Sequence, residues 1–195
     1  MKNKRIIFFI ILIILIGVGL FIFFSNKGTK NFKIGNNTSS QEVVDYILNI
    51  NFYEAVIEVD VKSNKNENKY KIKQIYNGND NSSQEVLEPS NIAGVKLIKK
   101  GNNLKLENSN LNLTNILQNY EYISDNVLDL SSFIDNYKNN SDSKWEEKDN
   151  KILMKTYNRI LYINRENGLP EKMEIQDNGK KTAIYILYNE VKVNS

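Results

Sequence analysis

The chain has no cysteine, no histidine and only 2 prolines among its 195 residues. Without cysteine there is no disulfide framework, no thiolate metal site and no lipid-modifiable thiol. Without histidine the commonest general base and metal ligand are both missing, which excludes Ser-His-Asp triads, Cys-His pairs and ordinary zinc sites. Hydrolytic chemistry would have to run on carboxylates, and the available pairs do not suit it. Glu146 and Glu147 are strand neighbours that point to opposite faces, and Glu85 and Glu88 also differ in phase. Asn77-Gly78-Asn79-Asp80-Asn81 has oxygen ligands but lacks the order of a calcium loop and its closing glutamate; it reads as a hairpin turn. The composition therefore predicts a protein that is not an enzyme, with no catalytic residues, no cofactor and no metal.

What is present begins with residues 6–24 (IIFFIILIILIGVGLFIFF), an uncharged run in which only Gly17 and Gly19 are not strongly apolar. As a helix it would extend ~28 Å, enough to cross a hydrocarbon core. Lys2, Lys4 and Arg5 precede it, so the positive-inside rule predicts residues 1–5 in the cytoplasm and the rest of the chain outside the cell membrane. The run exceeds a usual signal-peptide core, and Phe23-Phe24-Ser25-Asn26-Lys27 offers no small-x-small cleavage site, which favours an uncleaved anchor over a cleaved leader. Residues 25–37 (SNKGTKNFKIGNN) are polar and lack an apolar period; they read as a tether. Residues 38–195 then form one extracytoplasmic domain of about 160 residues. Its charge differs from that of the whole chain. The 26 basic residues fall to 20 once the six before position 34 are set aside, against an unchanged 23 acidic ones. A mildly acidic domain gives a nucleic-acid partner no basic face to bind.

Within the domain, Ser39 and Glu42 form a capping box ahead of Val44, Ile47 and Leu48, predicting a short helix. Residues 53–62 alternate, with Tyr53, Ala55, Ile57, Val59 and Val61 on one side; residues 69–76 alternate again, with Tyr70, Ile72 and Tyr76 opposite Lys69, Lys71 and Lys73. Further strands are expected at 83–88, 94–100 and 103–107, the last two joined at Gly101-Asn102. The period then changes. Leu113, Ile116, Leu117 and Tyr120, like Leu130, Phe133, Ile134 and Tyr137, fall at helical spacing and predict two short helices. Strands return at 144–149, 151–157, 159–164, 171–177 and 181–193, with turns at Asn167-Gly168-Leu169-Pro170 and Asn178-Gly179. Residues 182–188 (TAIYILY) are apolar on both phases and predict a central strand covered on both sides. The pattern is α+β: a large antiparallel sheet, of a kind that suits a curved half-barrel, with a few helices on its concave face.

The stretch from Leu161 to Asn194, an apolar strand, a Gly-x-Pro turn, an alternating strand, an Asn-Gly turn and a long strand ending Val-x-Val-Asn, resembles the closing strands of the LolA/LppX-type lipoprotein-carrier fold. Upstream, residues 53–76 and 85–108 are similar to the first half of that fold. The SNKNxNKYKIKQ, VLEP and LENSNLNL strings resemble the GerS-related germination lipoproteins of spore-forming, low-GC Gram-positive bacteria, over most of residues 39–194. The resemblance implies a non-enzymatic sporulation and germination protein of the spore envelope. Its implied partner is the CwlD-type N-acetylmuramoyl-L-alanine amidase that modifies the peptidoglycan of the spore cortex. One departure matters: a lipoprotein needs a cysteine at the end of its signal segment, and here the apolar helix itself must anchor the chain.

Two readings of the binding surface stay open: an adaptor that docks an envelope enzyme through an aromatic patch, and a carrier or sensor with a cavity for a lipid or other apolar ligand. The candidate partner or ligand face comprises Tyr53, Tyr70, Tyr76, Trp145, Tyr157, Tyr162, Tyr185 and Tyr188. Ordinary sheet packing is the competing explanation for these aromatics, since they favour strands in any case. Lys69, Lys71 and Lys73 form a cationic row that could meet an acidic partner, or simply a solvated face.

Overall fold

The computed structural model describes residues 38–62, 67–78, 81–101, 103–118, 127–176 and 182–193. The apolar run at 6–24, the tether at 25–37, Tyr120 and the Asn178-Gly179 turn lie outside these residues. Among the described residues no helix is long and apolar enough to cross a membrane.

The domain opens with α1 (Ser40–Leu48). Ser39 starts it as expected: its hydroxyl accepts from the Glu42 amide at 3.2 Å, and the Glu42 carboxylate accepts from the Ser39 amide at 2.7 Å. Two amides that a helix start leaves unpaired are thereby satisfied. Six strands follow: β1 (Phe52–Lys62), β2 (Glu67–Asn77), β3 (Asn81–Glu88), β4 (Val95–Lys100), β5 (Asn103–Asn108) and β6 (Leu113–Leu117). After α2 (Leu130–Asn139) come β7 (Lys144–Lys148), β8 (Lys151–Lys155), β9 (Arg159–Asn164), β10 (Pro170–Gln176) and β11 (Thr182–Val193).

All eleven strands form one antiparallel sheet in the order β6-β5-β4-β3-β2-β1-β11-β10-β9-β8-β7. It consists of two meanders, β1 to β6 and β7 to β11, joined where the first strand pairs with the last. The segment between β6 and β7 must travel from one edge of the sheet to the other, roughly 48 Å at the usual strand spacing. Here α2 lies along that route. Its Leu130, Phe133 and Ile134, with Val43, Val44 and Ile47 of α1, share one core with Tyr53, Ala55, Ile57 and Val59 of β1. Met154, Leu161, Ile163, Met173 and Ile186 complete that core from β8 to β11. Both helices thus sit on the same face, hereafter the inner face.

The structure corrects the sequence reading at two places. Residues 113–117 form a strand, not the start of a helix: they pair with β5 from Asn108↔Leu113 to Leu104↔Leu117. Asn112, in the left-handed region at φ 51°, ends a short 3-10 turn over Ser109–Leu111 and redirects the chain into β6. Four apolar residues are too few to nucleate a helix that has nothing to pack on, and the edge of β5 offers hydrogen bonds instead. The second correction concerns β11. It is central as expected, but it is not covered on both sides: Ile186 and Tyr188 are buried on the inner face, whereas Leu187 on the outer face is 47% exposed.

Candidate interaction surface

On the inner face, Tyr53 is fully buried and stacks on Tyr76, with ring centroids 5.7 Å apart and an interplanar angle of 27°. Its hydroxyl donates to the Asp129 carboxylate at 2.6 Å and accepts from the Leu130 amide at 3.3 Å. Asp129 holds the N-cap position of α2 but makes no side-chain cap of its own; the tyrosine hydroxyl takes that place. Burial pushes the Asp129 carboxyl above the usual carboxylate range, a rise that the Tyr53 hydrogen bond partly offsets. Burial, then the nearby Asp129 charge, pushes the Tyr53 and Tyr188 phenols up. Gln74, also buried, donates from Nε2 to the Leu128 carbonyl at 3.0 Å. Arg159 lies 5.8 Å from the Phe133 ring centroid and donates to the Ser132 hydroxyl at 3.0 Å. Together these contacts pin the start of α2 to the sheet. Tyr70 and Trp145 lie on the same face, partly buried against the core.

The outer face carries a different group. Lys172 Nζ sits 4.9 Å from the Tyr162 centroid and 5.5 Å from the Tyr185 centroid, while Lys62 Nζ approaches the Tyr185 ring at 5.1 Å. Glu174 pairs with Lys172 at 2.5 Å, and burial, followed by the charge of Glu174, raises the Tyr162 phenol. Leu187 lies directly across from Lys172. The result is a cation-aromatic strip over β1, β11, β10 and β9, with one exposed leucine at its margin. Tyr157 stands apart, 83% exposed in the turn between β8 and β9.

The eight aromatic candidates therefore divide three ways. Tyr53, Tyr70, Tyr76, Trp145 and Tyr188 belong to the inner face, Tyr162 and Tyr185 to the outer strip, and Tyr157 to a turn. Along the lysine row, Lys73 pairs with Glu54 at 2.8 Å and Lys69 with Glu67 at 3.3 Å. Glu146 and Glu147 do diverge: the former meets Lys155 at 2.6 Å, and the latter accepts from Ser40 of α1. Two features escaped the reading by periodicity. One is Arg165, which donates to the Ser40 hydroxyl at 3.0 Å and to the Thr38 carbonyl, tying the β9–β10 turn to the start of α1. The other is the exposed leucine-rich edge at β6. Its signal in the sequence is the charge-free stretch from Asn108 to Gln118.

A single eleven-stranded antiparallel sheet with two helices on one face defines an open-sheet α+β domain. The chain belongs to the YdcC-like sporulation protein family, whose model matches residues 2–195. Among solved structures it is similar to the GerS lipoprotein in complex with the CwlD amidase from Clostridioides difficile. That match has 25% identity and a TM-score of 0.50, and covers 80% of this chain and 96% of the other. An uncharacterized conserved protein from Thermus thermophilus is similar at 13% identity and a TM-score of 0.52, over 81% of this chain and 89% of the other. A LolA superfamily protein from Nitrosomonas europaea is similar at 13% identity and a TM-score of 0.42, over 81% and 94%. No curated protein sequence matches.

Proposed function

We propose that this chain is a non-enzymatic, membrane-anchored envelope protein of sporulation and germination that binds and supports a spore-cortex amidase. The observation that carries this reading is the similarity to GerS, which extends over nearly all of that protein and is drawn from its complex with an amidase. Membership of a sporulation family supports the same setting. The apolar run at 6–24, flanked by Lys2, Lys4 and Arg5, would hold the domain at the outer side of the membrane in place of a lipid. A sheet curved as a half-barrel, with α1 and α2 on its concave side, is the shape this reading implies. The filled core between the helices and β1, β8, β9, β10 and β11 favours an adaptor over an amphiphile carrier, because side chains occupy the space a ligand would need. Docking would use the uncovered outer strip of Tyr162, Tyr185, Lys172 and Leu187.

The test is co-elution of the full-length protein, extracted in mild detergent, with the cortex amidase of the same organism. A shared peak is the expected result, and Leu187→Asp should weaken it. Two separate peaks at concentrations well above those of a specific complex would reject the partnership and return the amphiphile carrier to first place.

A further inference from the structure

On the outer face a line of charges crosses the sheet from its centre outward. Lys192 of β11 stands across from Glu54 of β1, and Glu54 pairs with Lys73 of β2 at 2.8 Å. Lys73 stands across from Glu85 of β3, and Glu85 across from Lys96 of β4, with the ammonium 3.8 Å from the carboxylate. Lys96 in turn faces Glu107 of β5, which pairs with Lys105 of its own strand. The sign of the charge therefore alternates at every strand from β11 to β5, and the row stops at Thr114 of β6. A shorter row runs beside it, with Glu58 across from Lys71 and Lys71 across from Glu88.

The row runs where the sheet has least beneath it. Among the described residues of β3 to β6, the wing of the sheet, Leu104 is the one buried hydrophobic side chain. The strands on the other side of β1 differ: Met154, Leu161, Ile163 and Met173 bury their inner faces against the helices.

We propose that the charge ladder closes the wing against β1 and β2 and makes it a conformational switch read by ionic strength, closed in dilute salt and loosened in concentrated salt. A single exposed ion pair holds little. In the ladder each interior charge serves two opposite neighbours, so a strand that leaves the sheet forfeits both contacts at once, and opposite charges set across an antiparallel pair favour that pairing. The side chains of the Glu54, Glu85 and Glu107 pairs are between 28% and 40% exposed, so ions in solution reach them. Neighbouring rungs lie one strand spacing apart, about 5 Å. Screening acts over roughly 30 Å at 0.01 M salt and roughly 3 Å at 1 M, which leaves the ladder coupled in the first case and uncouples adjacent rungs in the second. The pairs Lys151–Glu171 and Lys172–Glu174 rest on strands that the core already holds, and screening them should open nothing.

Amide hydrogen exchange of the full-length protein in nonionic detergent micelles tests this, at fixed pH and protein concentration, in about 10 mM and about 1 M sodium chloride. The expected result is a roughly tenfold loss of protection in β3 to β5 at the higher salt, with β9 and β10 unchanged. Glu85→Lys sets like charge beside Lys73 and Lys96, so in that variant the wing should be open in dilute salt and added salt should restore protection. Glu85→Gln, which removes the charge and adds no repulsion, should leave a smaller salt response than that of the wild type. A wild-type wing whose protection ignores salt would overturn the proposal. So would a loss shared equally by β9 and β10, which would mark an effect of salt on the whole fold, or a salt response of the same sign in Glu85→Lys as in the wild type.

Discussion

At Asp129 a carboxyl group is buried beneath the start of α2, held by the hydroxyl of a tyrosine 76 residues away. Burial raises its pKa in the folded state, so at intermediate pH the folded protein holds a proton that the unfolded chain has released. The stabilisation that this residue gives is fully present below the unfolded carboxylate range and is lost as pH rises through the raised folded value. Asp129→Asn removes that titration. Its stability relative to wild type should therefore improve from pH 4 to pH 7, against a baseline loss from the altered hydrogen bond of about 1–3 kcal/mol. Urea unfolding of both proteins at the two pH values checks this, and a constant difference would show that Asp129 does not titrate differently on folding. Little of this was legible in the sequence. Alternation put Tyr53 and Tyr76 on apolar faces of their strands, but local spacing carries no information on a partner so distant. For the same reason it could not tell that Tyr162 and Tyr185 share a face with Lys172 and Lys62 while Tyr188 faces the helices.

Elements show where local signals suffice. The capping box at Ser39 and Glu42 formed as read because both partners lie within one turn. Ser39→Ala should cost about 1 kcal/mol, as loss of an N-cap usually does, and the cost should fall on α1. Thermal unfolding followed by circular dichroism measures it; Ser39→Asp should restore most of the loss, since aspartate also caps. The strands were legible for a similar reason: period two survives in β1, β2, β9 and β10, each with one face toward the core. β6 was misread because Leu113, Ile116 and Leu117 fit a helical stripe and a strand equally over so few residues. The decision lay with the free edge of β5, a neighbour that local spacing does not reveal. The exposed Leu187 of β11 has the same origin, since apolar residues on both phases say nothing of whether a second layer exists.

At the scale of the whole molecule, the sheet is uneven. On β1, β8, β9, β10 and β11 the inner face meets both helices and supplies nearly all of the buried core. On β3 to β6 Leu104 is the one buried hydrophobic residue among those described. Strand hydrogen bonds give little net stability where so little apolar surface is buried beside them, so this wing should open without unfolding the rest. Amide hydrogen exchange at dilute protein concentration should show β3 to β6 exchanging far faster than β1, β11, β10 and β9, whose amides should exchange only with global unfolding. Equal protection across the sheet would mean that contacts outside the described residues hold the wing.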